Sequence, residues 1–171
     1  MCCGLRGAAL RERQSEKLYD VMANMMFKTS NIDRTLWQSL LDATATHGRN
    51  RIVLEDIQRQ PINYGRVIMG SMILGRKLAA LTVGQKNVGL LMPNANSTVL
   101  AFFGLMVHGK VPAMLNFSTG ALNMAAACTA AQVRTIVTSR RFVEQGKLDD
   151  IVEELGEGRQ VLWLEDVRGT L

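Results

Sequence analysis

The chain has 171 residues, the size of one compact unit or two at most. With 47% apolar and 20% charged residues and three prolines, it is not a wholly disordered chain, a collagen or a disulfide scaffold. The net charge of +5 is sorted along the chain: residues 1–56 hold 8 basic and 7 acidic side chains, 57–143 hold 9 basic and no acidic ones, and 144–171 hold 3 basic and 8 acidic ones. A long stretch without a carboxylate makes nucleic acid, an anionic membrane surface and a phosphate-bearing ligand the candidate partners.

The chain opens on Cys2 and Cys3, and the third cysteine is Cys128. An odd count with two neighbours at a terminus is no disulfide framework, and a reducing compartment is the default. Only His47 and His108 could join them as metal ligands, and no ligand spacing appears. Met1 to Arg13 has no apolar core of signal-peptide length, and acylation of Cys2 or Cys3 stands beside a simple frayed terminus.

Residues 15–28 carry Leu18, Val21, Met22, Met25 and Met26 at the spacing of one helical face. That face suits packing on the protein's own body, or docking on a membrane surface or a partner. A second helix follows Asn31 to Asp33, with Asp33 as cap, Leu36, Trp37, Leu40 and Leu41 inward, and His47-Gly48 at its end. Ile52 to Leu54 and Pro61-Ile62 read as a small β-hairpin. Asn63 caps a helix over 64–81, with Val67, Leu74, Leu78 and Leu81 as its buried stripe.

From there strands and helices alternate. The expected strands are Asn87 to Met92, Val111 to Leu115, Arg134 to Ser139 and Gln160 to Leu164. Between them lie a helix capped by Asn96 or Ser97 and closed by Gly109, a small-residue helix over 121–131, and a helix over 142–155. The pattern predicts an α/β fold: a mostly parallel sheet with flanking helices, preceded by a helical segment and the hairpin. Continuous apolar strands fit a sheet covered on both faces. Ala125 to Ala127 are expected to let their helix approach the sheet closely, with Cys128 on the same packing surface. The uncharged windows of 23 residues on either side of Lys110 contain prolines and many polar residues, so each reads as strand plus helix rather than a membrane span.

Catalytic motifs are sparse. Gly104 to Val111 resembles a P-loop, but Val111 stands where a Ser or Thr would hold magnesium, and the segment ends a helix instead of starting one. No dinucleotide fingerprint and no nucleophile elbow occur. An acyltransferase H-x-x-x-x-D is missing too, since Ile52 and Ala113 stand five residues after His47 and His108. Arg76-Lys77 and Arg140-Arg141 are the tight basic pairs, and aromatics are not interleaved with them, so nucleic acid rests on charge alone and is not expected as a partner.

Several stretches nonetheless form a familiar series. Tyr64 opens a helix with Leu78-Ala79 near its end; Leu90 to Asn94 (LLMPN), Phe102-Phe103-Gly104 to Gly109 and Val111 to Asn116 (VPAMLN) follow. This resembles the opening of the adenylation domain of AMP-forming acyl ligases, the adenylate-forming superfamily. Met114 to Gly120, Thr135 to Phe142, Gly146 to Leu148, and the outlying Asn24 to Phe27 and Leu164 to Val167, are similar to one branch of it, the bifunctional acyl-acyl-carrier-protein synthetase / 2-acylglycerophosphoethanolamine acyltransferase. The resemblance covers roughly residues 15–171.

The resemblance implies a division into a linker helix at 1–30, following an acyltransferase region that is not here, and an incomplete N-terminal ligase subdomain at 31–171. In the parent enzyme it implies ATP and Mg, a fatty acid activated to an acyl-adenylate, transfer to the thiol of an acyl carrier protein, and reacylation of a lysophospholipid. The resemblance further implies that the parent enzyme works on the cytoplasmic side of the bacterial inner membrane. The superfamily's Ser/Thr/Gly-rich phosphate loop ends in Pro-Lys, whereas the prolines here are followed by Ile62, Asn94 and Ala113. No cofactor and no catalytic, cofactor-binding or metal residue is therefore expected for this chain alone. Pro93, Asn94, Asn116 and Phe117 are the candidate substrate-side loops, because open α/β sheets bind ligands beyond the C-terminal ends of their strands. The alternative is a non-catalytic α/β module that docks a membrane or protein partner.

Overall fold

The structure, a computed structural model, describes residues 3–30 and 33–169. The chain divides into two units, Met1–Thr35 and Leu36–Leu171. The first unit contains helix α1, Cys3–Thr29. It begins well before the apolar face at 15–28, because Ala8, Ala9, Leu10, Arg11 and Glu12 are good helix formers without a strong period. Leu18, Val21, Met22, Met25 and Met26 are each at least half exposed. Cys2 and Asn31 lie outside the described residues.

The second unit starts with α2, Leu36–His47. Leu36 is its first residue, so the cap position falls on Thr35 and not on Asp33. Trp37 and Leu40 turn inward, but Leu36 and Leu41 are exposed, which narrows the expected inner side. Gly48, at φ +86, ends the helix by donating its N–H to Thr44 O at 2.9 Å. Strands β1, Ile52–Glu55, and β2, Pro61–Asn63, pair antiparallel as the hairpin.

Asn63 Oδ1 accepts the Arg66 N–H at 2.9 Å and caps α3, Tyr64–Leu81. The buried side of α3 includes Val67, Leu74 and Leu78, but Leu81 is 45% exposed; Tyr64, Ile68, Ser71 and Gly75 complete the stripe. β3 (Asn87–Leu90), α4 (Asn96–Val107), β4 (Val111–Met114), α5 (Ala121–Ala130) and β5 (Thr135–Thr138) follow. A single 3₁₀ turn, Phe117–Thr119, precedes α5. The helix expected over 142–155 is two: α6, Arg140–Gly146, and α7, Asp149–Gly156. Lys147, at φ +50, breaks the run, and Asp149-Asp150 suit the positive start of α7. β6 spans Gln160–Trp163, and Leu164, expected as strand, opens α8, Leu164–Gly169.

The four later strands form one parallel sheet in the order β4-β3-β5-β6. β5 is buried along its whole length, whereas edge strand β4 is exposed at both ends and carries Pro112, which only an edge accepts readily. Side chains alternate between the faces. Val88, Leu90 and Val137 pack with Leu74, Leu78, Ala101, Leu105 and Leu164 on one side. Leu91 and Ile136 pack with Met124, Cys128 and Leu155 on the other.

The close helix approach lies elsewhere than expected. On α5, Met124 and Cys128 face the core and Ala125 packs against it as expected, while Ala126 and Ala127 are exposed. α3 and α4 instead cross backbone against backbone. A Cβ on Gly75 would sit 2.3 Å from Gly104 O, and one on Gly104 would sit 2.7 Å from Ser71 O. The P-loop-like stretch is thereby explained residue by residue. Gly104 serves the crossing, Gly109 (φ +68) ends α4, and Lys110 Nζ donates to Thr82 O and Gln85 O at 2.7 and 2.6 Å.

Candidate functional site

The C-terminal ends of the strands, where a parallel sheet exposes its turns, are walled by the hairpin loop. Asp56 builds that loop. Its Oδ1 accepts the N–H groups of Gln58 and Gln60 at 3.0 and 3.1 Å, an Asx-type turn that tolerates Arg59 at φ +53. Asn96, expected as a possible cap, instead joins α4 to this loop. Its Nδ2 donates to Asp56 Oδ2 at 3.2 Å and to Gln60 O at 2.7 Å. Ala95 occupies the cap position without a side-chain bond, and Thr98 Oγ1 donates back to Pro93 O at 2.5 Å.

Two clefts flank this bridge. One, of about 420 Å³, is lined by the hairpin loop, Pro93, the first turn of α4, Ser139, the α6 residues Arg141, Phe142 and Gln145, and Leu164 and Glu165 of α8. The other, of about 430 Å³, is more apolar, with Leu54, Val99, Phe102, Phe103 and Met114 beside Glu55, Asp56 and Asn94. Both volumes fall in the range of small-molecule sites. Pro93 therefore lines the first cleft and Asn94 the second. Asn116 and Phe117 line neither: Asn116 Oδ1 accepts from Ser118 N and Oγ at 3.0 and 2.8 Å, and Phe117 packs edge-on against Phe142 at 5.4 Å.

The wall formed by α6 and α8 is an electrostatic knot. The Arg140 guanidinium donates to both Asp166 oxygens at 2.6 and 2.7 Å and lies 5.1 Å from the Trp163 ring centre. Glu165 accepts the Ser139 hydroxyl at 2.8 Å and the Arg140 N–H at 3.2 Å. Burial alone would raise the Glu165 carboxyl, but hydrogen bonds from backbone N–H groups and Ser139 outweigh it and hold the group below its ordinary value. The hydrogen bond from Arg140 likewise lowers Asp166. The acidic tail thus folds back onto the carboxylate-free stretch. Lys77, which donates to Val167 O at 2.9 Å, and Lys110 are also engaged with carbonyls.

Sequence reasoning missed Asp56, Asn96 and Glu165 as site-forming residues. Asp56 and Asn96 meet across 40 positions, and no local pattern pairs them. Cys128 is buried, which pushes its thiol up despite the nearby Arg159, and it has no nucleophilic environment. Among the described residues no three His, Cys, Asp or Glu side chains gather as metal ligands, and no helix is long and apolar enough to cross a membrane.

No family model matches the chain. Solved structures do. O-succinylbenzoate coenzyme A synthetase (MenE) from Bacillus subtilis, in complex with ATP and magnesium ion, is 16% identical with a TM-score of 0.64, over 78% of this chain and 34% of that one. A benzoate CoA ligase from Burkholderia xenovorans is 19% identical with a TM-score of 0.63, over 77% of this chain and 27% of that one. The anthranilate CoA ligase AuaEII in complex with anthranoyl-AMP is 18% identical with a TM-score of 0.63, over 80% and 28%. The α/β subdomain of this chain therefore has the fold found in adenylate-forming acyl-CoA ligases. The chain spans between about a quarter and a third of the length of these structures.

Proposed function

We propose that the chain is the N-terminal part of the ligase region of an ATP-dependent, AMP-forming fatty acyl ligase, the kind that charges acyl carrier protein and supports lysophospholipid reacylation. The shared fold with ATP- and acyl-adenylate-bound ligases carries the first half of this reading. The acyl-carrier and lysophospholipid half rests on the sequence resemblance in Met114 to Gly120 and Thr135 to Phe142. Pro93 and Asn94 are the substrate-side residues of the four candidates that line the clefts.

The residues present do not fit ATP and Mg as a complete site. The chain has no Pro-Lys phosphate loop, and no ligand cluster occurs among the described residues. No catalytic step is therefore assigned to this chain, which would supply one wall of the site and be inactive by itself. The purified chain is expected to give no fatty-acid-dependent pyrophosphate–ATP exchange; exchange above a no-enzyme blank would overturn its inactivity. Reading the coding sequence beyond Leu171 tests the parentage, and a frame without a Ser/Thr/Gly-rich loop ending in Pro-Lys would sink it.

The exposed Met-rich face of α1 favours a second reading, a module that docks a membrane or protein partner. Liposome flotation of the chain with and without residues 15–28 separates the two, and equal flotation removes the docking role of that face on membranes.

A further inference from the structure

The tight basic pair Arg140-Arg141 divides its labour. Arg140 is held by Asp166 and Trp163. Arg141 lines the first cleft, and its guanidinium has no hydrogen-bond or ion-pair partner among the described residues. The two carboxylates of that cleft do not answer it. Asp56 is occupied by the N–H groups of Gln58 and Gln60 and by Asn96, and Glu165 by Ser139 and the Arg140 N–H.

What the cleft leaves unmatched is donor capacity: the planar fork of Arg141, the Ser97 hydroxyl and the Gln145 amide, none with a partner among the described residues. An arginine fork matches phosphate oxygens in bidentate geometry, and a phosphate has oxygens left over for a hydroxyl and an amide where a carboxylate has only two. At about 420 Å³ the cleft exceeds a lone phosphate, and Ile57, Phe142 and Leu164 offer an apolar wall to whatever the phosphate carries.

We propose that this cleft binds a phosphomonoester, with Arg141 as the anion-binding residue and Ser97 and Gln145 as further donors. The site is separate from the ATP phosphate loop of adenylate-forming ligases, which this chain does not contain, and it stands whether or not the ligase reading does.

The test is a nuclear magnetic resonance titration of the full 171-residue chain at constant ionic strength, with inorganic phosphate and with glycerol 3-phosphate. Saturable shifts are expected at Ser97, Arg141 and Gln145, and a tighter midpoint for glycerol 3-phosphate identifies the ester as the ligand. Arg141→Gln should weaken binding at least about tenfold, the size of a lost charge-assisted bond. Arg66→Gln, which removes the same charge elsewhere, should change it less than about twofold. Absence of saturable shifts with both probes overturns the site, as does tighter binding of inorganic phosphate than of the ester. Equal weakening by the two variants also overturns it, because diffuse charge then explains the binding. The spectrum of Arg141→Gln reports its folding directly, and its exposed position predicts an unchanged fold.

Discussion

On one face of the sheet two long helices, α3 and α4, cross with their backbones in contact at Gly75 and Gly104. On the other, the shorter α5 and α7 pack through Met124, Cys128 and Leu155. The first face combines a side-chain core of Leu74, Leu78 and Leu105 with one crossing where side chains are absent; the second is closed by side-chain bulk alone. The glycine crossing should fail on gaining atoms, and the side-chain core of either face on losing them.

The largest expected effects come from emptying either face. Leu78→Ala on the first and Met124→Ala on the second, both essentially fully buried, should each cost about 2–5 kcal/mol in urea unfolding. A loss below about 1 kcal/mol at either site would show that face to be loosely packed. Adding atoms sharpens the contrast. Gly75→Ala should destabilise by about 1–3 kcal/mol or more, since its Cβ would strike backbone and not a movable side chain. Ala126→Leu on the exposed side of α5 should stay within about 0.5 kcal/mol. If the two additions cost the same, the crossing at Gly75 is not the tight contact that sets the first face apart.

Smaller effects come from the ends of the first face. Asn63→Ala removes the side-chain acceptor at the start of α3 and should cost about 1 kcal/mol by thermal unfolding. The clasp that ties α8 to α6 is read by pH. Glu165 and Asp166 both titrate below their ordinary values. Their contribution is therefore complete above the unfolded carboxylate range and is lost as pH falls through the lower folded values. Stability measured from pH 6 downward should decline below about pH 4.5, and the double variant Glu165→Gln, Asp166→Asn should flatten that decline.

Much of the fold was legible because its signals are local. Asn63 announces a helix start, Gly48 and Gly109 announce helix ends, and the apolar runs around Val88, Ile136 and Val161 announce buried strands. The site was less legible. The rule that ligands sit beyond strand ends selects Pro93, Asn94, Asn116 and Phe117; the first two line the clefts, and the other two cap and pack a neighbouring turn. An asparagine at position 96 satisfies the local rule for a helix cap. Its actual partners, Asp56 and Gln60, come from a hairpin about 40 residues earlier. The small residues at Ala125 to Ala127 suggest a close approach that Gly75 and Gly104 make instead, because a helix crossing joins two distant positions and leaves no periodic trace.

The charge asymmetry has the same lesson. By itself the sequence determined that acids are absent from 57–143 and gathered after it. It also determined the order of strands and helices, since hydrophobic period, caps and turn residues act within a few positions. Only the tertiary structure decided that the acidic tail returns to Arg140 while leaving Arg141 unmatched, that the sheet order is β4-β3-β5-β6, and that two glycines carry the tightest contact. These depend on which distant groups share the same few ångströms, and short-range backbone preferences do not encode that.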